Sequence, residues 1–294
     1  MGVNVEDPDF IRELMARERR GHAHSTPRLV IALALLIAYL VPFYYLFVTV
    51  FKSTDEYLSS GVLDLPRSVT PLLDNIVQAW TRAGMGQAAF NSLSYGLLGS
   101  AFAVALASAA AYGLTRLRLR SANSWFMVIF AGTLFPFQMY LVPLFFGYQR
   151  VSLMNSWLGM LLIYTAICIP FPLLVLRNYF GGIGREIDEA ARIEGASEWR
   201  VFVSMILPNA KGPLLALFLL QFTFIWNDLL FSSILASSPE VRSIMTALQS
   251  LQGTYASTGP NVVVTASLIS SIPTVVLFVL LRKYFMSGLQ LAHN

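Results

Sequence analysis

Arg185-Glu-Ile-Asp-Glu-Ala-Ala-Arg-Ile-Glu-Gly-Ala-Ser-Glu-Trp-Arg-Val-Phe-Val-Ser-Met-Ile-Leu-Pro208 is an elaborate polar stretch in a chain otherwise ruled by apolar runs. Residues 185 to 194 suit a helix in which small Ala190 and Ala191 stand among charges. Gly195 can end that helix in the left-handed conformation, where a Cβ would cost on the order of 1 kcal/mol or more. Ser197 is placed to cap a second helix, with Glu198 favoured in its first turn by the positive end of the helix dipole. Pro208 closes the second helix and Pro213 opens the next apolar run. Such a helix-Gly-helix bracket, with acidic residues beside alanines that leave the backbone approachable, suits docking into a groove on a soluble partner. A pair of interfacial helices covering one end of a helix bundle fits the same residues equally well.

The apolar runs on either side decide what the bracket is attached to. Six runs are long enough for a helix to cross a hydrocarbon core of about 30 Å, which takes about 20 residues. They are Leu29 to Phe51, Phe90 to Leu114, Trp125 to Phe146, Trp157 to Leu176, Pro213 to Leu235 and Val262 to Leu281. Between the fourth and fifth lie about 36 residues, where a plain connection in a bundle needs roughly two to eight. Composition agrees with an all-α polytopic membrane protein of six transmembrane helices. The 294 residues are 56% hydrophobic and 12% charged, with a mean hydropathy of +0.62, far from soluble averages. The first run is preceded by 28 mostly polar residues and lacks a cleavage site before Lys52, so it reads as a retained span rather than a signal peptide.

Basic residues orient the bundle, because they resist translocation. With the N-terminus inside, the cytoplasmic segments hold fifteen of the 20 Lys and Arg, Arg116, Arg118 and Arg120 among them, and the exterior segments hold Lys52, Arg67, Arg82, Arg150 and Arg242. Both termini are therefore expected in the cytoplasm. The chain divides into an N-terminal extension (1–28), a six-span transmembrane domain (29–285) with its loop at about 185–208, and a tail (286–294). Residues 9–20 suit either a short helix lying on the inner leaflet or a solvated tail. Pro42, Pro136, Pro143, Pro170, Pro172 and Pro273 predict kinks. Small residues crowd the second run, from Gly96 and Gly99 to Ala111, and permit close helix approach.

Several function classes are excluded. The net charge of +4 is too small to imply a nucleic-acid partner. Cys168 is the single cysteine, and His22, His24 and His293 lie near the termini, so the spans have no imidazole for a metal centre or a serine-protease triad. No Gly-x4-Gly-Lys-Ser/Thr phosphate loop occurs, so the chain is not expected to hydrolyse ATP itself. Catalytic, cofactor-binding and metal-binding residues are expected to be absent.

Glu189-Ala190-Ala191, three residues, Gly195, nine residues, Met205 in place of the usual Ile, one residue, and Leu207-Pro208 resemble the EAA loop of ABC importer permeases. Phe90-Asn91-Ser92-Leu93, Phe224-Ile-Trp-Asn-Asp-Leu-Leu230 and Ser271-Ile-Pro-Thr274 are similar to stretches of the carbohydrate-uptake branch, specifically the six-span maltose-type permease. The tail after Leu289 departs from the family's small-residue ending. The resemblance implies a multi-pass subunit of the bacterial or archaeal cytoplasmic membrane that forms half of the path of an ATP-driven sugar importer. Its partners would be a second homologous permease, two ATPase subunits that use ATP and Mg, an extracytoplasmic sugar-binding protein and the lipid bilayer. Glu189, Ala190, Ala191, Gly195, Met205, Leu207 and Pro208 would then couple the chain to the ATPase. The exterior loop Ala236 to Asn261 would reach toward the binding protein, although a solvated connector would read the same way.

One ionisable residue falls at membrane depth. Asp228 lies fifteen residues past Pro213, about 23 Å along a continuous helix, nearer the exterior than the midplane. An Asp facing lipid at mid-depth is penalised by about 2.5 to 3.5 kcal/mol on insertion scales. Asn227 and Asp228 are thus expected at the translocation pathway or its exterior gate, or else Asp228 is a solvated or helix-capping carboxylate. Trp226 and Tyr140 offer rings to a sugar or serve as packing, and Gln138 and Gln221 read most simply as interhelical hydrogen-bonding groups. An ion-coupled secondary transporter of a small polar solute is the alternative; it would ordinarily carry several intramembrane charges and a visible internal repeat.

Overall fold

Helix α1 (Pro8–Val50) is apolar on every side along its second half, and its side chains from Leu29 to Phe43 are all exposed, as suits a helix whose solvent is lipid. The computed structural model describes residues 8–117, 119–252 and 258–290, and the side chains of these except 8–27, 187 and 283–290. The amphipathic reading of 9–20, Arg118, all three histidines, the loop tip 253–257 and the end of the tail lie outside the described side chains.

The chain forms two units, Met1–Asn75 and Ile76–Asn294. In the first, Ser53 caps α2 (Thr54–Ser59) by accepting from the Glu56 N–H at 3.1 Å. The fully buried Lys52 ammonium donates to Ser60 Oγ at 3.1 Å and to the Gly61 carbonyl at 2.8 Å. Lys52 and Asn75 therefore bind the segment after α1, the Asn75 amide donating to the carbonyls of Val50 and Lys52 at 2.8 and 2.9 Å. Helix α3 (Pro71–Arg82) carries the chain into the second unit.

There α4 (Met85–Arg116) is the central helix. Helices α7 (Trp157–Ile167), α8 (Pro170–Gly182) and α12 (Lys211–Trp226) pack along it. The small residues of α4 make this possible: Gly96, Gly99, Ser100, Ala103, Ala107 and Ala111 are buried, and a Cβ on Gly96 would stand 2.8 Å from the Phe222 ring of α12. Between α4 and α7 run α5 (Ala122–Ala131), a short 3-10 turn and α6 (Gln138–Arg150). After α8 come α9 (Glu186–Ile193), α10 (Glu198–Val201), a π-type turn over Phe202–Ile206 and α11 (Leu207–Asn209). After α12 come α13 (Leu230–Leu235), α14 (Ile244–Ser250) and α15 (Pro260–Gln290). Among the described residues there is no strand.

Three of the expected spans are unbroken helices, Arg28–Val50, Met85–Arg116 and Pro260–Arg282. The others are bent. The third turns by 102° between residues 134 and 138, where Pro136 withholds a donor. The fourth turns by 41° just before Pro170. Pro42, Pro143, Pro172 and Pro273, also expected to kink, stay within helices. The fifth run differs most from expectation. It begins beyond a 78° bend that follows residue 209, and the helix ends at Trp226 instead of continuing to Leu235. The distance of about 23 Å along a continuous helix therefore does not place Asp228, which sits in the break. Pro208 does not end its helix either. The π-type turn before it lets Leu207 donate to the Phe202 carbonyl, and the wider ladder accommodates the proline until Ala210.

Candidate functional site

The bracket forms from its own local chemistry. Helix α9 ends in a Schellman arrangement, with the Ala196 N–H on the Ala191 carbonyl and the Gly195 N–H on the Arg192 carbonyl, each at 3.0 Å. Gly195 has φ +79°, the left-handed value expected of it, with nothing within 4 Å of where a Cβ would be. Open space surrounds it, so the requirement for glycine is conformational. Ser197 caps α10, accepting from the Arg200 N–H at 3.3 Å. Glu198 then ties the two arms: the Arg192 guanidinium donates to it at 2.8 and 3.1 Å, and Tyr112 of α4 at 2.6 Å. The Arg192 guanidinium, and after it the Tyr112 hydroxyl, hold the Glu198 carboxyl below its ordinary pKa.

Deeper anchoring comes from a pair that no local pattern reveals. Arg116, at the end of α4, meets Asp188 at 3.0 Å with side chains 2% and 3% exposed. Its other terminal nitrogen donates to the carbonyls of Phe180 and, at 2.7 Å, Ile183. Arg116 Nε and Asp188 Oδ1 have no hydrogen-bond partner among the described residues, and the pair borders a polar cavity of about 200 Å³. The fixed bracket turns Glu189, Ala190, Gly195 and Pro208 outward. Met205 and Leu207 are half-buried against the core, and Ala191 is 2% exposed, so it seats the bracket on its own bundle. Ile193 and Trp199, which the sequence reading passed over, are 87% and 70% exposed. In the sequence their only signal is two large apolar side chains set among the charges of the loop that carries Glu189.

The second break is an elbow at residues 227–244. Asp228 is 8% exposed. It accepts from the Tyr164 hydroxyl at 2.7 Å and from the N–H groups of Phe231 and Ser232 at 3.3 and 3.1 Å, so it caps α13 while reaching α7. Asn227 points elsewhere, exposed and donating to the Thr223 carbonyl at 2.8 Å. Ser243 caps α14 and donates to the Asp228 carbonyl at 3.1 Å. The start of α4 holds this segment: Asn91 donates to the carbonyls of Glu240 and Arg242 at 2.9 and 3.1 Å, Tyr95 to Val241 at 2.9 Å, and Ser92 accepts from Ile244 at 2.8 Å. Residues 236–252 are therefore folded onto the bundle, with Ile244, Ala247, Leu248 and Leu251 buried, and are not a solvated connector.

Two larger hollows adjoin the bent helices. One, of about 1040 Å³, is mainly apolar and is lined by Phe137, Tyr140, Phe171, Gln221 and Phe224. Gln138, two residues before Tyr140, is exposed. The other, of about 580 Å³, lies between the end of α12, α14 and α15 and includes Asn227. Trp226 is packing: it is 2% exposed, stacks on Phe222 and donates to the Ser270 carbonyl at 3.0 Å.

A bent-helix bundle with a rigid bracket at one end is the architecture of a transporter's membrane subunit. The chain belongs to the family described as binding-protein-dependent transport system inner membrane component, whose model matches residues 99–290. It is 29% identical over 283 residues to the probable ABC transporter permease protein YurM of Bacillus subtilis, covering 96% of this chain and 93% of that one. It is 32% identical to the diacetylchitobiose uptake system permease protein NgcG of Streptomyces coelicolor, over 74% of this chain and 70% of that one. In fold it matches a chain of a bacterial ABC transporter involved in the import of the acidic polysaccharide alginate, with a TM-score of 0.76 at 21% identity, covering 91% of this chain and 98% of that one. The family is that of a membrane transport component rather than an enzyme.

Proposed function

We propose that this chain is one permease of an ATP-driven, binding-protein-dependent sugar importer of the bacterial or archaeal cytoplasmic membrane. A second, homologous permease would complete the path, two ATPase subunits would use ATP and Mg, and an extracytoplasmic sugar-binding protein would deliver solute. The observation that carries the reading is the bracket: Glu189, Ala190, Ile193 and Trp199 stand exposed on a support locked by the buried Arg116–Asp188 pair. A carboxylate, a small side chain and two apolar anchors on a rigid loop suit docking into a cleft of the ATPase, with Glu189 beside a basic group there. Gly195, Met205, Leu207 and Pro208 shape the loop, and Ala191 seats it. The bias of basic residues supports a cytoplasmic bracket and cytoplasmic termini, with residues 29–285 as the permease domain between the extension and the tail.

Asn227 and Asp228 then belong to the exterior end of the pathway, Asn227 open to it and Asp228 holding the elbow. The mainly apolar hollow beside Gln221 forms this subunit's share of the path, and residues 236–261 face the binding protein. The sugar class rests on relatives such as the diacetylchitobiose permease. The chain, purified in mild detergent, is expected to bring an ATPase with it, where an ion-coupled carrier would come alone. In the reconstituted complex Glu189→Lys is expected to uncouple ATP hydrolysis from uptake with no loss of folded protein; a fully coupled Lys variant counts heavily against the docking role.

A further inference from the structure

We infer that the hollow between α12, α14 and α15 is a receiving subsite for a neutral polyhydroxyl solute, a proposal that rests on the importer reading and adds a place on this chain where solute is held. The cleft, of about 580 Å³, is lined by Asn227, Gln249, Gln252, Ser267, Ser271 and Thr274 among others. Their hydrogen bonding is arranged for a guest. Asn227 spends an amide proton on Thr223 at 2.8 Å and keeps its oxygen available. Ser267 and Ser271 give their protons to the carbonyls of Val263 and Leu268 at 2.9 and 2.7 Å, so both hydroxyls turn lone pairs toward the cleft. The side chains of Gln249, Gln252 and Thr274 lie in the lining with donors and acceptors to offer.

A surface rich in acceptors with a few amide donors matches the hydroxyls of a saccharide, which donate and accept together. Among the described residues no ionisable side chain lines the cleft. Asp228, the nearest carboxylate in sequence, has its oxygens occupied by Tyr164, Phe231 and Ser232. Nothing there compensates a charged solute, so selection is for a neutral one. Met245 and Val275 supply apolar patches for the C–H faces of a sugar ring. Every group in the cleft can also be satisfied by water, so solute exchanges with water at little net gain. Weak binding of that kind suits a site that must release what it receives.

Cysteine labelling tests this in the complete transporter, reconstituted in vesicles with its partner permease, ATPase and binding protein. Cys168, the native thiol of this chain, is 1% exposed, so Ser271→Cys provides the reactive position on this subunit, which is read after the subunits are separated by gel electrophoresis. The water-soluble cation 2-(trimethylammonium)ethyl methanethiosulfonate is expected to label it. A transported saccharide among melibiose, raffinose and diacetylchitobiose is expected to slow labelling at least fivefold, and gluconate is expected to have no effect. A thiol that stays unlabelled, because lipid or a partner helix covers this face, overturns the proposal; so does labelling that transported sugar leaves unchanged. As an independent reading, Gln249→Ala should raise the KM for uptake about tenfold, and an unchanged KM overturns the subsite. ATP-driven uptake of the same three sugars, measured in parallel, separates the two levels. Intact uptake without protection removes the subsite alone, whereas no uptake of any of them removes the sugar-importer reading and the subsite with it.

Discussion

The bracket at 185–209 and the elbow at 227–244 are held by opposite ends of one helix, and the chemistry of the two attachments differs. Asn91, Ser92 and Tyr95 hold the elbow, and Tyr112 and Arg116 hold the bracket. From Asn91 to Tyr112, α4 rises about 30 Å, close to the thickness of a bilayer's hydrocarbon core. At the bracket a buried carboxylate meets a buried guanidinium. At the elbow a buried carboxylate meets a phenol and two backbone N–H groups, with no cation among its hydrogen-bond partners in the described residues. An ion pair fixes one geometry and is costly to break by halves, since the survivor is left as an unpaired buried charge. A carboxylate held by neutral donors can lose them one at a time. On these grounds the bracket is the stiffer of the two attachments and the elbow the one suited to rearrangement.

The largest expected effect tests the stiff end. Arg116→Met leaves Asp188 buried without its cation and should destabilise the folded subunit by about 3 to 5 kcal/mol, read as a fall in membrane yield and in the melting temperature of the detergent-solubilised complex. A variant with wild-type thermal stability would show that the pair carries no such constraint. Next comes Asp228→Ala, which strands the Tyr164 hydroxyl and uncaps α13, at about 1 to 3 kcal/mol for the unsatisfied buried group. Assembly should fall before transport does, and Asp228→Asn should be milder because the amide oxygen still accepts. Normal assembly with transport alone impaired would mean that the carboxylate serves the pathway directly rather than through the elbow.

The smallest effect concerns the exposed tie between the bracket's arms. Glu198 has a lowered pKa in the folded state. Its contribution is therefore present above the unfolded value of roughly 4.3 and is lost as pH falls through the lower folded value. Its side chain is 46% exposed, so screening keeps the effect small. Amide exchange across residues 192–200 should quicken only in that acidic window, and Glu198→Gln should remove the pH dependence. A dependence that survives the substitution would assign it to another group.

How much of this was legible in the sequence follows from the range of each interaction. Gly195 and Ser197 act on neighbours within a few residues, so their conformations could be read directly, and the six apolar runs could be read because length and composition suffice. The break at Asn227–Asp228 was hidden because the apolar residues on both sides carry a run straight through it, although an Asp three residues ahead of Phe231 is itself a capping signal. Arg116 and Asp188 are 72 residues apart. In sequence each looked like one more loop charge, and only the packing of α9 against α4 turns them into a pair. Asn91 and Ser92, first noted only as part of a family-like stretch, proved to be clamps for backbone about 150 residues away.

The π-type turn at Phe202–Ile206 has a consequence for how this loop can vary in length. A π turn holds one residue more than an ordinary helical turn, so it is a helix carrying a built-in insertion. Deleting one residue between Phe202 and Ile206 should be absorbed as plain α-helix, whereas the same deletion in α9 would rotate everything beyond it by about 100°. Pro208, which the wider turn accommodates, would then meet the carbonyl ladder in the usual way and bend it. A single-residue deletion at 202–206 should therefore be tolerated only when the proline is replaced as well, read as the membrane yield of folded subunit.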